Sequence, residues 1–505
     1  MYVSKKALER GLFYVEKAHF SIYNSLVICV KPIGKIVGGF LMEKKKSKVT
    51  PLIVAAVIII ITCVLPLPEG LTRAGMQSFG IILGAIVLWV TEALNMAVTG
   101  IFMSALLVFM KVMSAGDMFK GFGGSVFFFM VGTMSITTAM ASTTIPTRIA
   151  GAIMTWAKKS PRKLVVGFAV GTALLSSIMS NIPTCALFAS LGIAVLKANG
   201  DPKPGTSNLG KCLMIAIPAG SVIGGYMTPA GGPTNIIAMN TLESVGRPIT
   251  FLQWMIQGYP IGLVMTIIVA IWLTFVHKPE EISDEALVKA NEMVHGNGPL
   301  TKREIKALAV IGLMFVAWIA SSWVPVLNTT CVALMGTCLF MFPGIEVMTW
   351  DEYSQKGGWD ASFMVGSVGA LADAALNTGA MKWLINATLG GAANWSSFAV
   401  FLLISFLVCI IHILVPSGPA VAGLAVVPIV ELALVAGINP VGAAILVSFW
   451  SAVTFVLPTD AVPMFTYKFG YYGFNDMIKA GVPISVIVAV LVAVLIPGAC
   501  TLLGC

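Results

Sequence analysis

Charge is what this sequence has least of: Asp, Glu, Lys and Arg make up 10% of its 505 residues, against 57% hydrophobic. A water-soluble domain carries about a quarter charged residues, so this chain lacks an ordinary aqueous surface. The 9 cysteines (Cys29, Cys63, Cys185, Cys212, Cys331, Cys338, Cys409, Cys500, Cys505) are scattered, with no CxxC pair and no Cys/His cluster. That spacing speaks against a transition-metal centre or a disulfide framework. HExxH, GxSxG and GxxxxGK[ST] strings are also missing. Without them the chain carries no common signature of a metalloprotease, a serine hydrolase or an ATP-driven pump. It is not read as an enzyme.

What the chain has in abundance is apolar runs of bilayer length, recurring from Pro51 to the C-terminus. The expected fold is an all-α polytopic membrane protein. Spans are predicted near 51–66, 75–95, 97–113, 121–140 and 252–277, then near 307–323, 327–342, 360–377 and 480–498. Helical pairs are predicted at 162–179 with 185–198 and at 397–415 with 420–437, joined by polar tips at Ser180–Thr184 and Ser417-Gly418-Pro419. Two further spans are interrupted, at Thr228–Thr234 and within 441–470. Residues 1–50, interrupted by Lys31, Pro32 and Lys35, read as a cytoplasmic amphipathic arm rather than a cleavable signal.

The second half repeats the first. Phe129-Met130-Val131-Gly132 recurs as Phe363-Met364-Val365-Gly366, each time ahead of a helical pair, a Ser-containing tip and a Pro-rich break. The formal net charge of +9 is distributed as topology requires rather than as a nucleic-acid patch. With the N-terminus cytoplasmic and both pairs re-entrant, about 25 of the 31 Lys and Arg fall inside. The expected organisation is thus about 11 transmembrane helices and two re-entrant hairpins (162–198 and 397–437) in an inverted repeat. The arm at 1–50 leads into a first half at 51–277, a cytoplasmic linker loop at 278–306 and a second half at 307–505. The C-terminus is then extracytoplasmic and the protein multi-pass in the cell membrane.

At membrane depth, backbone leaves helical geometry only where protein or a watery cavity satisfies its N–H and C=O groups. The two tips and two breaks are such places. Helices that restart after them present free N–H groups and positive dipole ends, which suit an anion. Carbonyls at the preceding helix ends suit a small cation.

Trp89-Val90-Thr91-Glu92-Ala93 followed by Val98-Thr99, the tip Ser180-Asn181, the break Thr228-Pro229-Ala230-Gly231-Gly232-Pro233-Thr234-Asn235, and Trp359 ahead of Phe363–Gly366 carry a family resemblance. From about residue 50 onward the chain resembles the divalent anion/sodium symporter family of di- and tricarboxylate and sulfate transporters. The resemblance implies a homodimer working as an elevator, with a small anionic substrate, Na+ as coupling ion, no other cofactor, and lipid as surroundings. Carried onto matching positions, it implies that Ser176, Ser180, Asn181 and Gly231 hold sodium. It also implies that Ser180, Asn181, Thr184, Thr228 and Pro229 face the substrate, with Ser417, Gly418, Pro419, Pro458 and Thr459 as their second-half counterparts.

The second half departs from the pattern. Gly418-Pro419 replaces Asn-Thr at its tip, Ile413 stands where a hydroxyl residue is expected, and Ala461 and Met464 replace Thr and Asn in its break. Two ionisable residues, His412 and Asp460, stand nearby as coupling or charge-compensating groups. Asp460 reads as a sodium ligand, a proton carrier, a partner for His412 or simply a helix cap. The expected function is secondary transport of small divalent organic anions, sodium-coupled; the alternatives are a sodium-independent exchanger and a proton-coupled or sulfate carrier. An anion channel of the same fold and an intramembrane enzyme are the readings from other classes. Glu92, Asp373 and Glu431 read as structural, the 27 Met and 27 Phe mostly as lipid-facing or core-filling, and Glu280–Lys306 as a solvated cytoplasmic loop.

Overall fold

The computed structural model describes residues 49–504 except 201, 287, 289–297, 325, 382, 384–394 and 416. Most of the expected N-terminal arm, and the middle of the linker loop, lie outside the described residues. Among those residues every assigned element is helical. Eight helices are long and apolar enough to cross a membrane, and four shorter apolar ones accompany them. Many of their large apolar side chains are exposed, among them Ile60, Phe109, Ile410 and Val494. A face of that kind belongs against lipid tails rather than water.

Helices α1 (Val49–Val64), α2 (Arg73–Thr91) and α3 (Met96–Phe109) are followed by a short α4 (Ala115–Gly123) that runs into α5 (Ser125–Ala141). Next come α6 (Ile145–Ala157), α7 (Pro161–Ser176), α8 (Asn181–Ala198), α9 (Asn208–Tyr226), a 3-10 turn (Pro229–Gly231), α10 (Pro233–Ser244) and α11 (Phe251–His277). The order then recurs from α2 onward: α12 (Lys302–Ala320), α13 (Thr329–Met341), short α14 (Trp350–Lys356), α15 (Trp359–Asn377), the hairpin α16 (Ser397–Leu414) and α17 (Gly418–Val435), then α18 (Pro440–Ala452), α19 (Ala461–Tyr467) and α20 (Phe474–Leu503).

The two series exchange contacts. Helix α3 packs on α15 of the other series, and its counterpart α13 packs on α5. Small residues allow both crossings: a Cβ at Gly100 would strike Ser367, and one at Gly132 would strike Ala333. After the first break α10 lies against α17 and α18; after the second, α19 lies against α8 and α9. Each broken helix therefore ends in the other series' hairpin.

The sequence reading differs from the structure at several points. The hairpin tips are shorter than expected, because Asn181–Thr184 and Gly418–Pro419 already form the first turns of α8 and α17. Pro183 and Pro419 suit those turns, where a backbone N–H has no intrahelical partner. The second break, read from the proline pair as Leu457–Pro463, opens earlier, at Val453, directly after α18. Helix α6 was not anticipated; its 13 residues are too few for a span. Nor are the ends of the charged run merely solvated. Glu280 accepts from Ser207 Oγ and from the amides of Asn208 and Leu209, capping α9. Glu304 is 2% exposed and accepts from the amide and hydroxyl of both Thr144 and Thr301.

Candidate functional site

Both hairpin tips and both breaks meet on one cavity of about 530 Å³. Ser180 and Asn181 of the first tip, Ser417 and Gly418 of the second, Pro233 at the first restart and Asp460 at the second all line it. Four helices thus begin at its wall. The helix starts of the two halves are treated differently.

In the first half no side chain caps α8 or α10. Asn181 and Ile182, which open α8, line the cavity at the positive end of an 18-residue helix. Behind them the polar residues lock together. Ser176 Oγ donates to Asn181 Oδ1 at 2.8 Å and lies 3.2 Å from Ser221 Oγ, which donates to the Asn181 carbonyl at 2.8 Å. Gly225 and Gly231 exist for close approach: a Cβ on Gly225 would collide with the Asn181 side chain, and one on Gly231 with the Gly225 carbonyl. Asn235 Nδ2 donates to the carbonyls of Gly225 (2.6 Å) and Thr228 (2.7 Å), while its Oδ1 accepts from Ser448 Oγ at 2.7 Å.

Thr184 and Thr228 are fully buried behind the tip rather than on the cavity wall. Thr184 Oγ1 donates to the Ser180 carbonyl at 3.0 Å and Thr228 Oγ1 to that of Ser177 at 2.6 Å, so both shape the turn. Pro229 and Gly231 form the 3-10 turn beside them. The oxygens gathered here — Ser176 Oγ, Asn181 Oδ1 and Ser221 Oγ — are neutral and hard, a donor set that suits an alkali cation.

In the second half one carboxylate caps both helix starts. Asp460 Oδ1 accepts from the amide of Val462 (3.0 Å), capping α19, while Oδ2 accepts from the amide of Gly418 (3.1 Å), capping α17. Ser417 Oγ adds a bond from Ala420 N at 3.4 Å. Asp460 is 7% exposed and His412 1%, and His412 Nε2 lies 3.6 Å from Asp460 Oδ2. His412 Nδ1 is 2.8 Å from the Trp450 carbonyl; it therefore carries the proton and donates, leaving Nε2 to face the carboxylate. Pro458 and Thr459 lie in the second break off the cavity wall, and the buried Thr459 hydroxyl has no hydrogen-bond partner among the described residues.

Sequence reasoning missed Ser221, Asn235 and Ser448 as part of this network. It also assigned methionine to filler, whereas Met96, Met130, Met134 and Met364 line the cavity. Glu92 follows the end of α2 in a left-handed conformation (φ 49°) and lines the cavity too, together with Asp360. Asn95 Nδ2 donates to Asp360 Oδ2 at 2.8 Å.

The sequence pattern of the sodium:sulfate symporter transmembrane region matches residues 46–503. The chain belongs to that family, the divalent anion/sodium symporters. A membrane protein of Cupriavidus necator is 27% identical over 463 residues, covering 86% of this chain and 88% of that protein. The sodium-dependent dicarboxylate transporter SdcS of Staphylococcus saprophyticus is 25% identical over 378 residues, covering 68% of this chain and 72% of SdcS. SdcS of Staphylococcus aureus is 24% identical over 398 residues, covering 73% and 75%. Among solved structures, MtrF of Neisseria gonorrhoeae shares the fold with a TM-score of 0.50 at 11% identity, over 88% of this chain and 94% of MtrF. This family member is a multi-pass membrane transport protein.

Proposed function

We propose that this symporter-family chain is a secondary active transporter of small carboxylated anions, C4-dicarboxylates or related di- and tricarboxylates, driven by sodium. The observation that carries the reading is the convergence of four helix starts on one cavity, with the two of the first half uncapped. A substrate carboxylate accepts from the open amides of Asn181 and Ile182. Sodium sits behind the tip among Ser176, Ser180, Asn181, Ser221 and the backbone at Gly231, where its charge offsets that of the substrate. The dicarboxylate transport named for the two SdcS relatives agrees with this assignment.

The same reading takes residues 51–277 and 307–505 as halves of an inverted repeat joined by the 278–306 linker. Both hairpins then re-enter the membrane from opposite faces, between a cytoplasmic N-terminus and an extracytoplasmic C-terminus in the plasma membrane. The interleaved hairpins and broken helices move as one body against the rest, in a homodimeric elevator. Alternating access of this kind needs the cavity to travel with both tips.

A second reading is sodium-independent exchange. His412, held beside Asp460 at 3.6 Å, favours it, since a positive charge on that ring would replace a lost cation in the electrostatic balance. Proteoliposomes separate the two. Uptake of labelled succinate that follows an inward sodium gradient supports symport, whereas uptake that needs only internal dicarboxylate supports exchange. Saturation and counterflow distinguish either from a channel.

A further inference from the structure

The asymmetry between the two halves of the cavity goes beyond the coupling question. In the first half the starts of α8 and α10 carry no capping side chain. In the second half the starts of α17 and α19 share the Asp460 carboxylate, 3.1 Å from Gly418 N and 3.0 Å from Val462 N. A carboxylate bridging two helix N-termini is what a substrate's own carboxylate would supply there. Of the other groups at that tip, Pro419 has no N–H and Ala420 N already donates to Ser417 Oγ.

We infer that Asp460 is a resident carboxylate filling the second anion position, so that the substrate species bound is a monoanion: a monocarboxylate, or a dicarboxylate carrying one proton. This rests on the carboxylate-transporter reading and narrows its substrate. A second carboxylate brought against Asp460 would meet like charge and find the amides of Gly418 and Val462 already occupied. The rest of the cavity points the same way. Glu92 and Asp360 line it as well, and neither Lys nor Arg is among its described lining residues. The titratable groups that face Asp460 from the neighbouring helices are His412, with Nε2 3.6 Å from Oδ2, and Cys185, whose thiol donates to the Val462 carbonyl. Its Met96, Met130, Met134 and Met364 surfaces suit the uncharged remainder of such a substrate.

The specific role of Asp460 is to set which end of the substrate bears charge. Succinamate, which is succinate with one carboxylate turned into an amide, isolates that role at constant size. The experiment is competition binding to the purified full chain in sodium, comparing succinate with succinamate at about pH 8 and again at about pH 5, where the monoanion is the main form of succinate. The wild type should bind succinamate at least about tenfold more tightly at the higher pH, and the gap should close on acidification as succinate gains affinity. Asp460→Asn should shift the ratio toward succinate by about tenfold or more. Should the variant fail to fold, the wild-type pH comparison decides alone. Tighter binding of succinate than succinamate at the higher pH would overturn the inference and leave the transporter reading standing. Saturable binding of neither compound at either pH would overturn both.

Discussion

Ser176, the last residue of the first hairpin's descending helix, donates from its hydroxyl to Asn181 Oδ1 at 2.8 Å, across a tip only four residues long. The bond does two things. It closes the hairpin, and it ties the Asn181 side chain to Ser176, whose Oγ lies 3.2 Å from Ser221 Oγ, while the first residues of α8 line the cavity. In the proposed assignment the cation site and the anion site share Asn181, which is a direct physical route to coupling their occupancy.

Asn181→Ala removes the shared group. Sodium-dependent uptake should fall by about a hundredfold or more, with a loss of about 1 kcal/mol in stability from the lost Ser176–Asn181 bond, the Ser176 hydroxyl keeping Ser221 Oγ as partner. Uptake and thermal melting of the purified protein, each with and without sodium, measure both effects. Wild-type uptake in the variant would remove Asn181 from the site.

Gly225→Ala tests the same pocket from its other wall. The added Cβ would collide with the Asn181 side chain, displacing it without removing a single polar group. A destabilisation of about 1–3 kcal/mol is expected, together with loss of the melting-temperature rise on adding sodium. An undiminished sodium shift would mean that the cation does not depend on the position of Asn181.

Asn235→Ala strips a donor from two buried carbonyls, those of Gly225 and Thr228. The Thr228 carbonyl keeps the Gly231 amide, whereas the Gly225 carbonyl loses the Asn235 donor, so the cost should be about 2–3 kcal/mol. Ser448→Ala, which removes the bond to Asn235 Oδ1 and a long one to Thr234 Oγ1, should cost about 1 kcal/mol. Denaturation of the two variants in the same detergent gives the ranking. Equal effects would mean that the amide is not what holds the break.

Glu304 supplies a pH test outside the apolar spans. Hydrogen bonds, that of the Thr144 hydroxyl foremost, hold its carboxyl down at about 2 against an ordinary 4.5, overcoming the opposing effect of burial. Because the folded value is the lower one, the stabilisation is fully present above the ordinary value and drains away as pH falls toward the depressed one. Glu304→Gln should therefore melt lower than wild type at neutral pH, by about 1–3 kcal/mol, and the two curves should approach each other below about pH 4.5. A constant difference down to about pH 2.5 would mean that the carboxylate form is not what the cluster stabilises.

The element plan was legible because breaks in hydropathy coincide with residues that cannot continue a helix. Pro183, Pro229, Pro233 and Pro419 mark restarts in the sequence as they do in the structure. The Phe-Met-Val-Gly repeat survives as a packing constraint, with Gly132 against Ala333 and Gly366 against Phe122. The buried polar network was not legible. A serine such as Ser221 or Ser448 in an apolar helix looks like any helix-packing serine until the partner helix is in place. The double role of Asp460 was hidden for the same reason. Capping Val462 is a local event readable from spacing, whereas its bond to Gly418 joins residues 42 positions apart. The amphipathic α6 escaped because its 13 residues carry Arg148 and too few apolar neighbours to register as a span.

The most direct test of the account is uptake of labelled succinate into proteoliposomes at mildly acidic pH under an inward sodium gradient, with wild type and Asn181→Ala side by side. The account predicts accumulation above the external concentration that collapses without sodium and is absent from the variant. Equal, gradient-insensitive uptake by both proteins would contradict it, because neither sodium nor the first tip would then take part in transport.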